Sequence, residues 1–191
     1  MPIDYPVLLF EDRRAWEAWL EQNHQTERGV WVRLAKKGSE LRSVSRADAL
    51  DVALCYGWID GQSKSSDADS WLQKFTPRGA RSIWSKRNRE HVERLISSGE
   101  MRAPGLAAVE AAKSDGRWGR AYDPPSTAEV PPDFQAALDE QPHAKAFFET
   151  LGSQNRYAIL HRIQTAVKPE TRARRIAEFI GMLVRKETLH P

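Results

Sequence analysis

The residues best suited to bind a ligand lie between positions 55 and 88, CYGWIDGQSKSSDADSWLQKFTPRGARSIWSKRN. This segment holds three of the seven tryptophans together with acidic, basic and amide side chains. Arginine offers a planar fork to a carboxylate or phosphate, lysine a point charge, and tryptophan a ring face for stacking. The segment therefore predicts a site for a small anionic ligand, formed by Trp58, Asp60, Lys64, Trp71, Arg78, Trp84, Ser85 and Asn88.

Positive charge is concentrated at the start of the helix that Ser85 is predicted to cap. Lys86, Arg87 and Arg89 lie there, where the aligned peptide dipoles already place about half a positive charge. A bound anion would relieve the repulsion. The alternative is that these side chains extend into solvent and are screened by salt.

A structural role is the alternative for the polar residues. Asp60 could form an ion pair with Lys64 or Arg78 and so hold a hairpin together, with the tryptophans as ordinary core. If the protein is an enzyme, Asp60 is the best candidate for a catalytic base, but one carboxylate without a paired acid does not define a reaction. The sequence leaves open whether any reaction is catalysed.

Three motifs in this segment are GWIDG at 57–61, FTPR at 75–78 and S-x-W-S-x-x-N at 82–88. They resemble the recurring motifs of the YdeI/OmpD-associated family, often labelled bacteriocin-protection proteins. The resemblance runs from FEDRRAWEAWL near the N-terminus to RRIAEFIGML near the end. It implies a link to stress or antimicrobial-peptide tolerance and names no reaction.

The chain begins MPIDYPVLLFEDRR, without the basic and apolar regions of a signal peptide. We therefore expect a cytoplasmic protein that does not contact a periplasmic porin directly. No run approaches the roughly 20 apolar residues of a membrane span, so no membrane insertion is expected.

The motifs that define common cofactor sites are missing. The five histidines lack metal-ligand spacing, and the sequence contains neither a GxGxxG nor a GxxxxGK[ST] motif. The single cysteine, Cys55, is expected to be a small buried side chain and not a nucleophile. No metal and no cofactor are predicted.

Hydrophobic periodicity predicts an α+β fold, with a small, mostly antiparallel sheet packed against helices and followed by an all-helical C-terminal region. In the strand that starts at Trp58, a period of two would place Asp60 and Lys64 on one face. The predicted organisation is a core module of residues 1–122, a proline-rich linker of residues 123–132, and three or four short helices in residues 133–191.

Basic residues are also numerous in the last helices, where Arg156, Arg162, Arg172, Arg174 and Arg175 occur among few acids. Basic side chains interleaved with tryptophans could follow a phosphate backbone while bases stack. The alternative function is therefore a nucleic-acid-binding or protein-interaction module without enzymatic activity, although no RRM or helix-turn-helix signature is present.

Overall fold

The computed structural model describes residues 5–191. Residues 1–4, the first of the predicted core module, lie outside the described residues. The fold is α+β, as predicted, and the chain forms two compact units. The first unit contains the residues up to Ile83 together with Asn88–Gly119, and the second contains Trp84–Arg87 and Arg120–Pro191.

The first unit is built on a four-stranded sheet with the strand order β1-β2-β4-β3. The pair β1 and β2 is parallel and the other two pairs are antiparallel, which confirms a mostly antiparallel sheet. Its elements are β1 (Val7–Leu9), α1 (Arg13–Asn23), β2 (Val30–Ala35), α2 (Arg46–Cys55), β3 (Trp58–Ser65), β4 (Ser70–Pro77), α3 (Lys86–Ser97, whose first two residues belong to the second unit) and α4 (Ala103–Ser114).

The helix that leads to the predicted site, α2, begins and ends where the sequence indicates. The Ser45 hydroxyl accepts a hydrogen bond from the backbone N–H of Asp48 at 3.0 Å, which caps the first turn. Gly57 then turns the chain with a φ of 73°. A Cβ at this position would lie 2.9 Å from the carbonyl oxygen of Pro104, so only glycine fits.

The two faces of the sheet differ because the side chains of β2 alternate. Val30, Val32 and Leu34 are buried on one face, which we call the core face, and the ring of Trp16 from α1 contacts Phe75 there at a centroid distance of 5.5 Å. Trp31 and Arg33 lie on the opposite face, which we call the outer face.

The second unit is helical, as predicted for the C-terminal region. Its helices are α5 (Pro132–Asp139), α6 (Pro142–Thr150), α7 (Ser153–Gln164) and α8 (Pro169–Val184). They enclose a core that includes Phe134, Phe148, Ile159, Ile163 and Leu183. Across residues 5–191, no helix combines the length and the hydropathy that a bilayer span requires.

Candidate functional site

A β-bulge in β3 decides which predicted site residues lie together. Asp60 pairs with Phe75 and Ser63 pairs with Gln73, so β3 contains one residue more than β4 between these pairs. Paired residues of antiparallel strands lie on the same face. Asp60 is therefore on the core face with Phe75.

Lys64 lies on the opposite side. It pairs with Leu72, which pairs in turn with Arg33 of β2, so Lys64 belongs to the outer face. The prediction that Asp60 and Lys64 share a face is wrong, because one extra residue reverses the alternation for everything that follows it. An ion pair between the two is excluded for the same reason.

The bulge is held by Gln73, a buried polar side chain of β4. Its amide nitrogen donates to the carbonyl oxygens of Gly61 at 2.9 Å and Gln62 at 3.2 Å. These bonds satisfy the buried amide nitrogen of Gln73 and tie β4 to the bulge, so the glutamine stabilises the irregular register.

Asp60 has an ionic partner outside the sheet. Its carboxylate lies 4.0 Å from a guanidinium nitrogen of Arg46 at the start of α2. The side chain of Arg46 is largely exposed, so this pair contributes little to stability.

Two of the three predicted tryptophans lie in hydrophobic cores. Trp58 is 1% exposed, and its indole N–H donates to the carbonyl of His24 at 3.1 Å. Trp84 is 2% exposed and belongs to the second unit, where its carbonyl accepts from the backbone N–H of Tyr122. Trp71 is half-buried in β4 opposite Leu34.

Arg78 organises the loop that follows β4. Its backbone N–H donates to Gly57 at 2.9 Å and its guanidinium donates to the carbonyl of Ile83 at 3.1 Å. Arg117 donates in a similar way to the carbonyl of Ser82. Arginine side chains thus hold the backbone of the loop that carries the FTPR motif.

The start of α3 receives negative charge from the chain itself. The ammonium of Lys86 lies 2.5 Å from the carboxylate of Asp123. The backbone of the preceding residue, Ser85, forms an isolated β-bridge with Tyr122. Burial would raise the pKa of Asp123, but hydrogen bonds from Lys86 and Gln164 outweigh it and the pKa is lowered. Asp123 is therefore a carboxylate at neutral pH.

Arg89 also has partners within the chain. Its guanidinium donates to the backbone carbonyl of Trp118 at 3.0 Å and lies over the indole ring of the same residue. It also forms an ion pair with Glu93 at 3.6 Å. Asn88 is buried on the same helix. The charge repulsion expected at this helix start is thus relieved in part without a ligand.

The outer face carries an aromatic and basic cluster that the sequence reasoning missed. The ammonium of Lys64 lies 4.3 Å from the centroid of the Trp31 ring, and that of Lys74 lies 4.7 Å from the Tyr5 ring. Together with Arg33 on the same face, they form a group of five residues that we call the outer-face cluster. The alternation of valine with Trp31 and Arg33 along β2 marked these two residues as sharing a face, but the lysines come from other strands.

Two apolar side chains extend this surface at the edge of the sheet. Val7 and Leu9 pair with Trp31 and Arg33, so they lie on the outer face, where they are 46% and 45% exposed. Isolated exposed apolar residues are common, but these two adjoin an aromatic ring. The outer face therefore offers both apolar contact and positive charge.

A buried charge cluster in the first unit was also missed. Asp51 of α2 is 7% exposed, and its two carboxylate oxygens lie 2.7 Å from Nδ1 of His91 and 2.5 Å from the guanidinium of Arg94. Because both oxygens are occupied, this group holds α2 against α3. About 40 residues separate the partners along the chain, which is why no local pattern marks them.

Neither a metal nor a reactive thiol is indicated. Among residues 5–191, no three His, Cys, Asp or Glu side chains come close enough together to hold a metal ion. Burial raises the pKa of Cys55 to about 11, so the thiol stays protonated at neutral pH.

Two family models match different parts of the chain. Residues 8–108, more than half of the 191, match the family model described as Domain of unknown function (DUF8412). The chain belongs to the DUF8412 family. Residues 127–186 match the model described as Bacteriocin-protection, YdeI or OmpD-Associated, which confirms the predicted resemblance over that region.

The sequence motifs and the C-terminal helices fall in different matches. The GWIDG, FTPR and S-x-W-S-x-x-N motifs lie within the DUF8412 match, whereas α5 to α8 account for most of the YdeI/OmpD-associated match. No curated protein and no solved structure matches the chain significantly.

Proposed function

We propose that this DUF8412 protein is a non-enzymatic binding module whose first unit binds single-stranded nucleic acid on the outer face of its sheet. The observation that carries the proposal is the pair of aromatic rings on this face, each with a lysine ammonium 4 to 5 Å away. Bases stack on such rings, while lysines that move aside pair with the phosphates.

The charge on the outer face favours a polyanion. The only carboxylate within the four strands is that of Asp60, and its register places it on the core face. On β2, Arg33 lies 3.4 Å from Asp67, which offsets part of its charge. The lysines of the outer-face cluster have no such acid beside them in the strands.

The layout suits a polymer better than an enclosed small molecule. Trp31, Lys74 and Lys64 lie on three adjacent strands, which span about 10 Å at ordinary strand spacing. The side chain of Lys64 is exposed. An extended chain can follow such a surface with its bases on the rings and its backbone beside the lysines.

The other candidate function is the binding of a small anionic ligand by the residues predicted from the sequence. It has less support, because Lys86 and Arg89 already have acidic partners and Trp58 is buried. A role in stress or antimicrobial-peptide tolerance is the setting that the YdeI/OmpD-associated description suggests. A nucleic-acid partner would place the protein in the cytoplasm.

Fluorescence anisotropy with a labelled oligothymidylate tests the proposal. We expect binding that weakens by orders of magnitude between roughly 50 and 200 mM salt. The double variant Lys64→Ala/Lys74→Ala should reduce the salt slope by about 1.4, since each phosphate contact on a single strand contributes about 0.7. Trp31→Leu should lower affinity by about tenfold through lost stacking.

Lys113→Ala is the matched control, because Lys113 is an exposed lysine on α4 of the same unit. It should leave the salt slope and the affinity within about twofold of the unaltered protein. Absence of oligonucleotide binding at low salt would refute the proposal. Binding of polyglutamate but not of the oligonucleotide would point instead to an acidic protein partner.

A further inference from the structure

The second unit contains a cavity of about 710 Å³ beside α7. This volume lies within the range of small-molecule sites, roughly 300 to 1,000 Å³. None of its ten lining residues is acidic, whereas two are arginines and two are histidines. The lining therefore favours a negatively charged occupant.

Two arginines, Arg162 and Arg175, line this cavity. Arg162 donates to the carbonyl of Ala158 at 3.1 Å, and Arg175 donates to the carbonyl of Arg162, so both guanidiniums are held against the backbone of α7. Among residues 5–191, neither forms an ion pair. By contrast, their neighbour Arg174 pairs with Glu178 at 3.6 Å.

Neither guanidinium is neutralised by an acid, and an anion in the cavity that both line could contact both. Their remaining N–H groups can form the bidentate hydrogen bonds that guanidinium makes with phosphate oxygens. Carbonyl groups at the helix end offset only part of this positive charge.

Aromatic rings form another part of the lining. The hydroxyl of Tyr157 donates to the carbonyl of Asp123 at 3.0 Å, and the ring of His161 lies 5.6 Å from that of Tyr157. Burial lowers the pKa of His161, and the charges of Arg162 and Arg175 lower it further. His161 is therefore neutral at pH 7 and can donate to or accept from a ligand.

We infer that this cavity binds a small phosphate monoester that carries a ring, with the phosphate at Arg162 and Arg175 and the ring against Tyr157 and His161. This site is distinct from the outer face, because all its residues belong to the second unit. It would give the region matched to the YdeI/OmpD-associated model a ligand of its own.

Titration of the full chain with inorganic phosphate, ribose 5-phosphate and AMP, followed by calorimetry and by the NMR signals of His161, tests the inference. AMP should bind about tenfold more tightly than inorganic phosphate, because only AMP brings an aromatic ring to stack. Arg175→Gln should lower AMP affinity by about tenfold or more. Arg175→Lys keeps the positive charge and should retain part of the AMP affinity. Comparing the two variants separates loss of charge from loss of fold.

Arg174→Gln is the matched control, because this neighbouring arginine already has an ion-pair partner. It should change AMP affinity by no more than about twofold. Equal losses in both variants, or a His161 signal unmoved by saturating AMP, would overturn the inference. The variant Lys64→Ala/Lys74→Ala should leave AMP affinity intact; loss of AMP binding there would move the ligand to the outer face.

Discussion

Asp51 is a buried carboxylate whose contribution to the stability of the fold depends on both of its partners. Since its two oxygens lie against His91 and Arg94, replacing it with alanine leaves the histidine and the arginine without their acceptor. We expect Asp51→Ala to lower the free energy of unfolding by about 2 to 4 kcal/mol, below the upper values for buried pairs because Arg94 is half exposed.

Urea denaturation of the purified variants measures this loss. Glu90→Ala is a suitable control, because Glu90 is an exposed carboxylate on α3, the helix that carries His91. It should change the free energy of unfolding by less than about 0.5 kcal/mol. Comparable losses in the two variants would mean that the cluster contributes no more than a surface charge does.

Asp67 has a structural role that the sequence alone indicates. One of its carboxylate oxygens accepts from the backbone N–H groups of Asp69 and Ser70 and from the Ser70 hydroxyl, all within 3.0 Å. The Ser70 hydroxyl contributes most to the lowering of the pKa of Asp67. A turn-forming role was predictable because these three hydrogen bonds come from residues no more than three positions away, whereas the partners of Asp51 are not local.

At the scale of elements, the bulge in β3 is the feature that assigns side chains to faces. Gln73→Leu would keep the volume of the side chain but remove the donor to Gly61 and Gln62. We expect the free energy of unfolding to fall by about 1 to 3 kcal/mol, because two hydrogen bonds of roughly 0.5 to 1.5 kcal/mol each are lost. Thermal and urea unfolding would both report the loss.

The neighbouring Gln62 provides the comparison, because its side chain is exposed at the same bulge. Gln62→Ala should stay within about 0.5 kcal/mol of the unaltered protein. A Gln73→Leu protein of full stability would show that the bulge forms without the amide.

Elements whose signals are local were predicted correctly. The cap at Ser45, the glycine at the end of α2 and the alternation of β2 all act within a few residues. The faces of β3 were predicted wrongly, because the bulge depends on a glutamine twelve residues away. The outer-face cluster could have been found only by pairing strands first, since its lysines come from β3 and β4 and its tryptophan from β2.

At the scale of the molecule, each unit has a core of its own and a separate candidate binding surface. The first unit presents rings and lysines on an open sheet face, and the second presents arginines and rings around a cavity. A net charge of +3 is too small to attract polyanions by itself. Both proposals therefore rest on where the charges lie on these two surfaces and not on the net charge.

The same charges make stability depend on pH. The two hydrogen bonds from Arg172 lower the pKa of Asp133, and Lys86 with Gln164 lowers that of Asp123. A carboxylate with a lowered folded-state pKa binds fewer protons in the folded state than in the unfolded state, so its contribution is present above the unfolded pKa of about 3.9 and is lost as pH falls through the folded pKa.

His161 also makes the protein less stable as pH falls, but in a higher pH range than the two carboxylates. Its pKa is lowered by burial and by two arginines, so the unfolded state takes up a proton first as pH falls below about 6.5. The melting temperature should therefore decline in two stages, first between about pH 6.5 and the folded pKa of His161, and again below about pH 4. Asp133→Asn should reduce only the second stage, and His161→Phe only the first. Glu129→Gln, which alters an exposed carboxylate, should leave both unchanged; a single decline shared by all variants would contradict this assignment.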